Sequence, residues 1–154
     1  MRFRIAQIKD LDRILELQLL NAKYHADMVS GGALKVHTRT FFENLTKKRI
    51  ENPGTKVCLA IENDRIIGYA IGCLNEQHPI FDLGKEGLID DLYVDVNFRR
   101  LGYANLLVKE LMNWFCENEV EQVVLNVYAS NIKGDAFWTK QGFGIQFKRM
   151  IKQL

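Results

Sequence analysis

Proline is scarce in this chain, with 2 residues in 154, and glycine numbers only 11, so no Pro/Gly-rich linker of any length interrupts it. Cysteine is also sparse. Cys58, Cys73 and Cys116 are odd in number and form no CxxC pair, which excludes a disulfide scaffold and predicts free, mostly buried thiols in a reducing compartment. Charge of one sign is missing too: the formal net charge is +2, too small for a nucleic-acid surface or a polybasic membrane patch. His25, His37 and His78 have no metal-ligand spacing, so no metal is expected. No apolar run approaches the ~18 residues that would suggest a membrane span. The opening Met1-Arg2-Phe3-Arg4-Ile5 has no apolar core of signal-peptide length, which predicts a cytoplasmic protein.

What is present is ordinary globular chemistry, with 47% hydrophobic and 26% charged residues over a length suited to a single domain spanning 1–154. Phe3 to Ala6 reads as a first strand. Asp10 then stands as an N-cap before Leu11, Ile14, Leu15, Gln18, Leu19 and Ala22, a stripe of period 3.6. A second helix is predicted from Thr38 to Ile50, with Phe41, Phe42 and Leu45 inward and Lys47-Lys48-Arg49 in its last turn, where cations suit the dipole. Lys56–Glu62 and Arg65–Leu74 read as a hairpin closed by Asn63-Asp64, followed by a loop from Asn75 to Gly87. Leu88–Val94 is a strand, Leu101–Asn118 a long amphipathic helix, and Gln122–Val127 a short apolar strand of the buried parallel kind. Ile132–Lys140 is a helix ended by Gly142, and Phe143–Ile151 supplies the last strand or strands. The order β-α-α-β-β-β-α-β-α-β predicts an α/β fold with a mixed six- to seven-stranded sheet and helices on both faces.

The chemistry concentrates where a strand ends, two arginines turn the chain and a helix begins: Leu92-Tyr93-Val94-Asp95-Val96-Asn97-Phe98-Arg99-Arg100-Leu101-Gly102-Tyr103-Ala104. A helix start presents about four unpaired N–H groups and the positive end of the dipole, a ready phosphate site. Gly102 permits close approach, and Arg99 and Arg100 add charge. The Walker Lys-[Ser/Thr] pair and the dinucleotide glycine triple are both absent, so the anion is read as a pyrophosphate without bound Mg²⁺.

Arg99-x-x-Gly102-x-Ala104 behind an apolar strand resembles the acyl-CoA pyrophosphate loop of the GNAT superfamily of N-acetyltransferases. The later Leu125-x-Val127-x-x-x-Asn131 and Phe137-Trp138-x-Lys140-x-Gly142-Phe143 match that family's strand–helix–strand, so the resemblance covers nearly the whole chain. It implies a GNAT fold whose strands four and five splay around acetyl-CoA as co-substrate. Leu92, Tyr93 and Val94 would offer backbone groups to the pantetheine arm. Arg99 and the run Arg100, Leu101, Gly102, Tyr103, Ala104 and Asn105 would wrap the pyrophosphate, while Asn131, Trp138 and Lys140 would border the carrier. It further implies direct acetyl transfer to a primary amine in a ternary complex, with a small cationic acceptor and a homodimer expected.

A lysine-like amine has a pKa of ~10.4, so roughly one in a thousand is neutral at pH 7 and a base is useful. Asp90 and Asp91 are the candidates; adjacent in a strand, they are expected on opposite faces, Asp90 sharing its face with Leu92 and Val94. Relatives usually carry a tyrosine general acid where this chain has Trp138, whose indole donates but supplies no proton. Tyr128 is a substitute candidate. Glu76, Asp82, Glu86, Asp90 and Asp91 form an acidic group that would steer a cation. His78 belongs to a rim loop, and Tyr24 and His25 fall where relatives contact acceptors. A second function class stands beside the enzyme: an acyl-CoA-binding sensor or regulatory module that lost catalysis with the tyrosine.

Overall fold

The computed structural model describes residues 2–28, 32–75 and 84–152. Five strands lie in sequence order in one sheet: β1 (Arg2–Ile5), β2 (Thr55–Glu62), β3 (Arg65–Asn75), β4 (Glu86–Val94) and β5 (Gln122–Leu125). The first four are antiparallel, and β5 joins β4 in parallel. Between them come α1 (Leu11–Ala26), α2 (Thr38–Glu51), α3 (Tyr103–Glu117) and α4 (Ile132–Lys140).

Local chemistry explains most of these boundaries. The β2–β3 hairpin turns on Asn63 and Asp64, both at positive φ (47° and 60°), the backbone of a two-residue turn whose twist matches the strands. Gly142, at φ 90°, follows α4. Its N–H donates to the Thr139 carbonyl and the Phe143 N–H to the Trp138 carbonyl, the paired bonds that close a helix end. Asp10 does not cap α1 through its side chain. Its carboxylate instead accepts from Arg4 at 2.6 and 2.7 Å and from the Gln7 N–H at 2.9 Å, tying β1 to the start of α1.

Strand alternation sorts the core into two layers. Cys58, Ala60, Ile67, Ala70, Ile89 and Val94 meet Leu107, Leu111 and Phe115 of α3. On the other face Val57, Leu59, Ile61, Tyr69, Ile71 and Tyr93 meet Ile14 and Leu17 of α1. Helices therefore cover both faces, as expected for an α/β fold.

The sheet differs from expectation in its last strands. Residues 143–152 pair with no strand, so the ladder among the described residues has five members, not six or seven. Their apolar alternation is real, but β5 carries no partner on its outer side to receive it, and Ile145, Phe147, Met150 and Ile151 stand exposed. For the same reason β5 ends at Leu125 and is half-buried along its length instead of enclosed. In α2 only Thr46 is buried, and Phe41 points outward, 61% exposed. Cys58 is buried, Cys73 partly so, but Cys116 is exposed on α3. Among the described residues no helix is long and apolar enough to cross a membrane.

Candidate active site

The two strands that flank the site part company early. β4 pairs with β5 only from Glu86 to Ile89, opposite Gln122 to Leu125. Beyond Ile89, β4 continues to Val94 against β3 alone, so among the described residues its other edge faces no strand at Leu92, Tyr93 and Val94. Such an edge offers backbone donors and acceptors to an extended ligand.

The turn after β4 leaves backbone amides uncapped, as an anion site needs. Asp95 accepts from the Asn97 N–H and opens a short 3-10 turn over Val96–Phe98. Arg100 (φ 63°) and Gly102 (φ 90°) then take left-handed backbone, and α3 starts at Tyr103 with no side chain capping it. The first helical amides, at Tyr103, Ala104 and Asn105, have no partner inside the helix. This loop has the features a pyrophosphate requires: an open edge leading to it, uncapped amides, and a glycine where a Cβ would be strained.

Several predicted side chains point elsewhere. Tyr103 is buried, and its hydroxyl donates to Glu62, so only its backbone belongs to the loop. Arg99 folds back: its Nε donates to the Val94 carbonyl at 2.9 Å, and its guanidinium lies over the rings of Tyr24 and Tyr93 at 5.6 and 5.4 Å. Asn105 accepts from Gln141 at 3.1 Å, linking α3 to the end of α4. Asn131 caps α4 by accepting the Gly134 N–H at 3.0 Å and lies 3.4 Å from the Tyr24 hydroxyl. Leu101, Arg100 and Lys140 are exposed. Trp138 sits edge-on against Phe137 and Phe143, at 4.9 and 5.4 Å, and packs on the core. Its contact with Phe143 is the apolar pair that accompanies this kind of helix ending.

Asp90 and Asp91 do not face opposite ways. The register slips by one residue, Ile71 pairing with Asp91 and Gly72 with Ile89, so Asp90 is the extra residue of a β-bulge. The bulge turns both carboxylates toward the α1/α2 side, while Leu92 and Val94 pack toward α3. Asp90 pairs with Arg49 of α2. Asp91 accepts from Asn21 Nδ2 of α1 at 2.7 Å and from the Tyr69 hydroxyl of β3 at 2.6 Å. Burial pushes the Asp91 carboxyl up to about 6, with the Tyr69 hydrogen bond pulling the other way. Burial and the Asp91 charge lift the Tyr69 phenol well above its ordinary value.

Tyr128 is 49% exposed and its ring lies 5.6 Å from that of His25, which in turn meets Tyr24 at 5.6 Å. Burial lowers the His25 pKa. Glu76, His78 and Asp82 lie outside the described residues. Among those described, no three His, Cys, Asp or Glu side chains group as metal ligands would.

Sequence reasoning missed Arg49, Asn21 and Tyr69. In the sequence Arg49 reads only as a cation suited to the end of the α2 dipole. Asn21 carried a signal, since it is a polar residue one turn after Leu17 on the buried stripe of α1.

Solved structures share this fold. A mutant of the BH1408 protein from Bacillus halodurans superposes with a TM-score of 0.84 at 20% identity, covering 100% of this chain and 99% of its own. A predicted acetyltransferase from Clostridium acetobutylicum, solved with acetyl-CoA, gives 0.80 at 19% identity, over 99% of this chain and 95% of its own. The aminoglycoside 6'-N-acetyltransferase AAC(6')-IG from Acinetobacter haemolyticus gives 0.79 at 16% identity, over 100% and 98%. Comparison with curated protein sequences yields no match. The sequence pattern described as Acetyltransferase (GNAT) family matches residues 17–143, a stretch that runs from α1 through the open β4 edge and the uncapped loop to the end of α4, and the chain belongs to that family.

Proposed function

We propose that this acetyltransferase moves an acetyl group from acetyl-CoA directly to the primary amine of a small cationic acceptor. The observation that carries the reading is the pairing of an open β4 edge and uncapped α3 amides with two carboxylates that a bulge turns to one side. Leu92, Tyr93 and Val94 would hold the pantetheine arm through their backbone, and the amides from Arg100 to Asn105 the pyrophosphate. Arg99 would reach the phosphates only by leaving Val94 and Tyr24.

The acceptor approaches from the α1/α2 side. Asp90, paired with Arg49, and Asp91 lie there, and the rings of Tyr24, His25 and Tyr128 border the path. A cationic amine is attracted by such carboxylates and rings. Asp91 takes a proton from the ammonium, and the freed lone pair attacks the thioester carbon. The C–N bond forms and the C–S bond breaks, the electron pair leaves on sulfur, and the second proton on the new nitrogen passes to the departing thiolate or to solvent, leaving a neutral amide and CoA. A backbone N–H of the open β4 edge is the candidate donor to the carbonyl oxygen as charge builds there. Trp138 supplies no proton to the thiolate, and the exposed Tyr128 hydroxyl is the candidate donor. A thiol of pKa ~8.5 also leaves adequately as the anion.

Thiol release from acetyl-CoA with a panel of amines tests this. Release dependent on a cationic amine, lost in Asp91→Asn, is expected. Tight CoA binding with no turnover on any amine would favour the sensor reading, which the core-packed Trp138 supports. The free thiols suit a cytoplasmic setting. A homodimer is proposed as well: the exposed Ile145 and Phe147 follow a groove of about 260 Å³ lined by Met112, Val123, Gln141, Gly142 and Phe143, and a second copy's segment is the matching occupant.

A further inference from the structure

We propose that Tyr69 and Asn21 are positioning residues, each holding one oxygen of the Asp91 carboxylate so that its remaining lone pairs face the incoming amine. The inference deepens the acetyl-transfer reading and rests on it.

Three elements converge to make the arrangement. Tyr69 comes from β3 and is fully buried; Asn21 comes from α1 and is 8% exposed; Asp91 comes from the bulged part of β4. The contacts divide the carboxylate cleanly. Asn21 Nδ2 reaches Oδ1 at 2.7 Å, and the Tyr69 hydroxyl reaches Oδ2 at 2.6 Å. A carboxylate offers about four lone-pair sites; the two side-chain donors, with the Leu92 backbone N–H also acting on the group, fix its plane and leave acceptor capacity for the amine.

Neighbouring charge is arranged to keep Asp91 free for this work. From α2, Arg49 pairs with Asp90, so Asp91 has no guanidinium of its own among the described residues. From β4, the Tyr93 ring lies 6.3 Å from that of Tyr69, with the Arg99 guanidinium on it. The charged and titratable groups around Asp91 are thus Asp90, Arg49, Tyr69 and Tyr93, with Arg99 behind. A carboxyl in such a place is poised near neutrality, where a general base works best. Tyr69 holds it there: its O–H favours the ionised form against the burial that opposes it. Asn21, which cannot titrate, sets orientation.

The test uses the full chain with Tyr69→Phe, Asn21→Ser and Asp91→Asn. Carboxyl-carbon NMR follows Asp91 in the ligand-free protein. The midpoint is expected near 6 in the wild type and about one pH unit higher or more in Tyr69→Phe, the size expected when a carboxylate loses a charged hydrogen bond. The acid limb of kcat/KM should move up by the same amount. Asn21→Ser should lower kcat by about tenfold or more with KM little changed, as expected when a base swings out of line. Thermal unfolding checks that each variant folds. Should Tyr69→Phe unfold, Asn21→Ser and its kcat-against-KM split still read the proposal. An Asp91 midpoint and acid limb that both ignore Tyr69→Phe would overturn it. So would a Tyr69→Phe penalty that is equally large in the Asp91→Asn background, since coupling through Asp91 would then be absent. The titration needs no turnover, so a wild-type protein that releases no thiol would refute the transferase reading separately.

Discussion

Asp91 and Asp10 are both carboxylates tied to their neighbours, yet they act on stability with opposite sign. Burial raises the Asp91 pKa to about 6, so the folded state binds its proton more tightly than the unfolded chain does. Its contribution is most favourable below the unfolded carboxylate range and is lost as pH rises through about 6. The pairing with Arg4 lowers the Asp10 pKa, so its contribution is present above the unfolded range and is lost as pH falls. Urea unfolding across pH should therefore show two changes. Asp91→Asn removes a decline between about pH 4 and about pH 6, and Asp10→Asn removes a loss below about pH 4. Activity separates the two further. Asp91→Asn should lower kcat by about 10²–10⁴-fold, the usual span for a general base, while Asp10→Asn leaves it near the wild-type value.

At the scale of elements, α3 does two jobs. Its start leaves backbone amides uncapped, and its body lies close on the sheet. Close packing depends on glycines beneath it. A Cβ at Gly87 would meet the Phe115 ring at 2.6 Å, and one at Gly72 would meet Leu111 and Phe115 at 3.0 Å. Gly87→Ala should thus cost about 1–3 kcal/mol by overpacking, read by denaturant midpoint, with acetyl-CoA affinity falling only as the folded fraction does. Gly102 is the converse case. Its φ of 90° strains any side chain, and its backbone belongs to the proposed cradle. Gly102→Ala should cost about 1–2 kcal/mol of stability and weaken acetyl-CoA binding beyond that loss, measured by calorimetry on the folded fraction.

For the whole molecule, the surface to explain is Ile145, Phe147, Met150 and Ile151, four exposed apolar side chains that follow β5, whose outer edge pairs with no strand among the described residues. Buried in a second copy, they would link association to concentration. Sedimentation should find a dimer that Phe147→Lys weakens, with the monomer's fold unchanged by circular dichroism. A wild type that stays monomeric at every concentration would refute the dimer.

Much of this molecule was legible in the residues. The helix at Leu11–Ala26, the hairpin at Asn63-Asp64 and the loop through Gly102 follow from periodicity, turn chemistry and glycine placement, all of which act within a few neighbours. The surroundings of the two candidate carboxylates do not. Asp90 and Asp91 read as opposed because alternation assumes an unbroken ladder, and a bulge is a property of two paired strands. Tyr69, Asn21 and Arg49 lie far from Asp91 along the chain and meet it only when β3, α1 and α2 close around β4. The missing outer strand has the same origin: residues 143–152 carry the right alternation, but a strand exists only where a partner accepts its hydrogen bonds. Local pattern determined the elements and the uncapped loop before α3; long-range pairing decided which groups surround the β4 carboxylates.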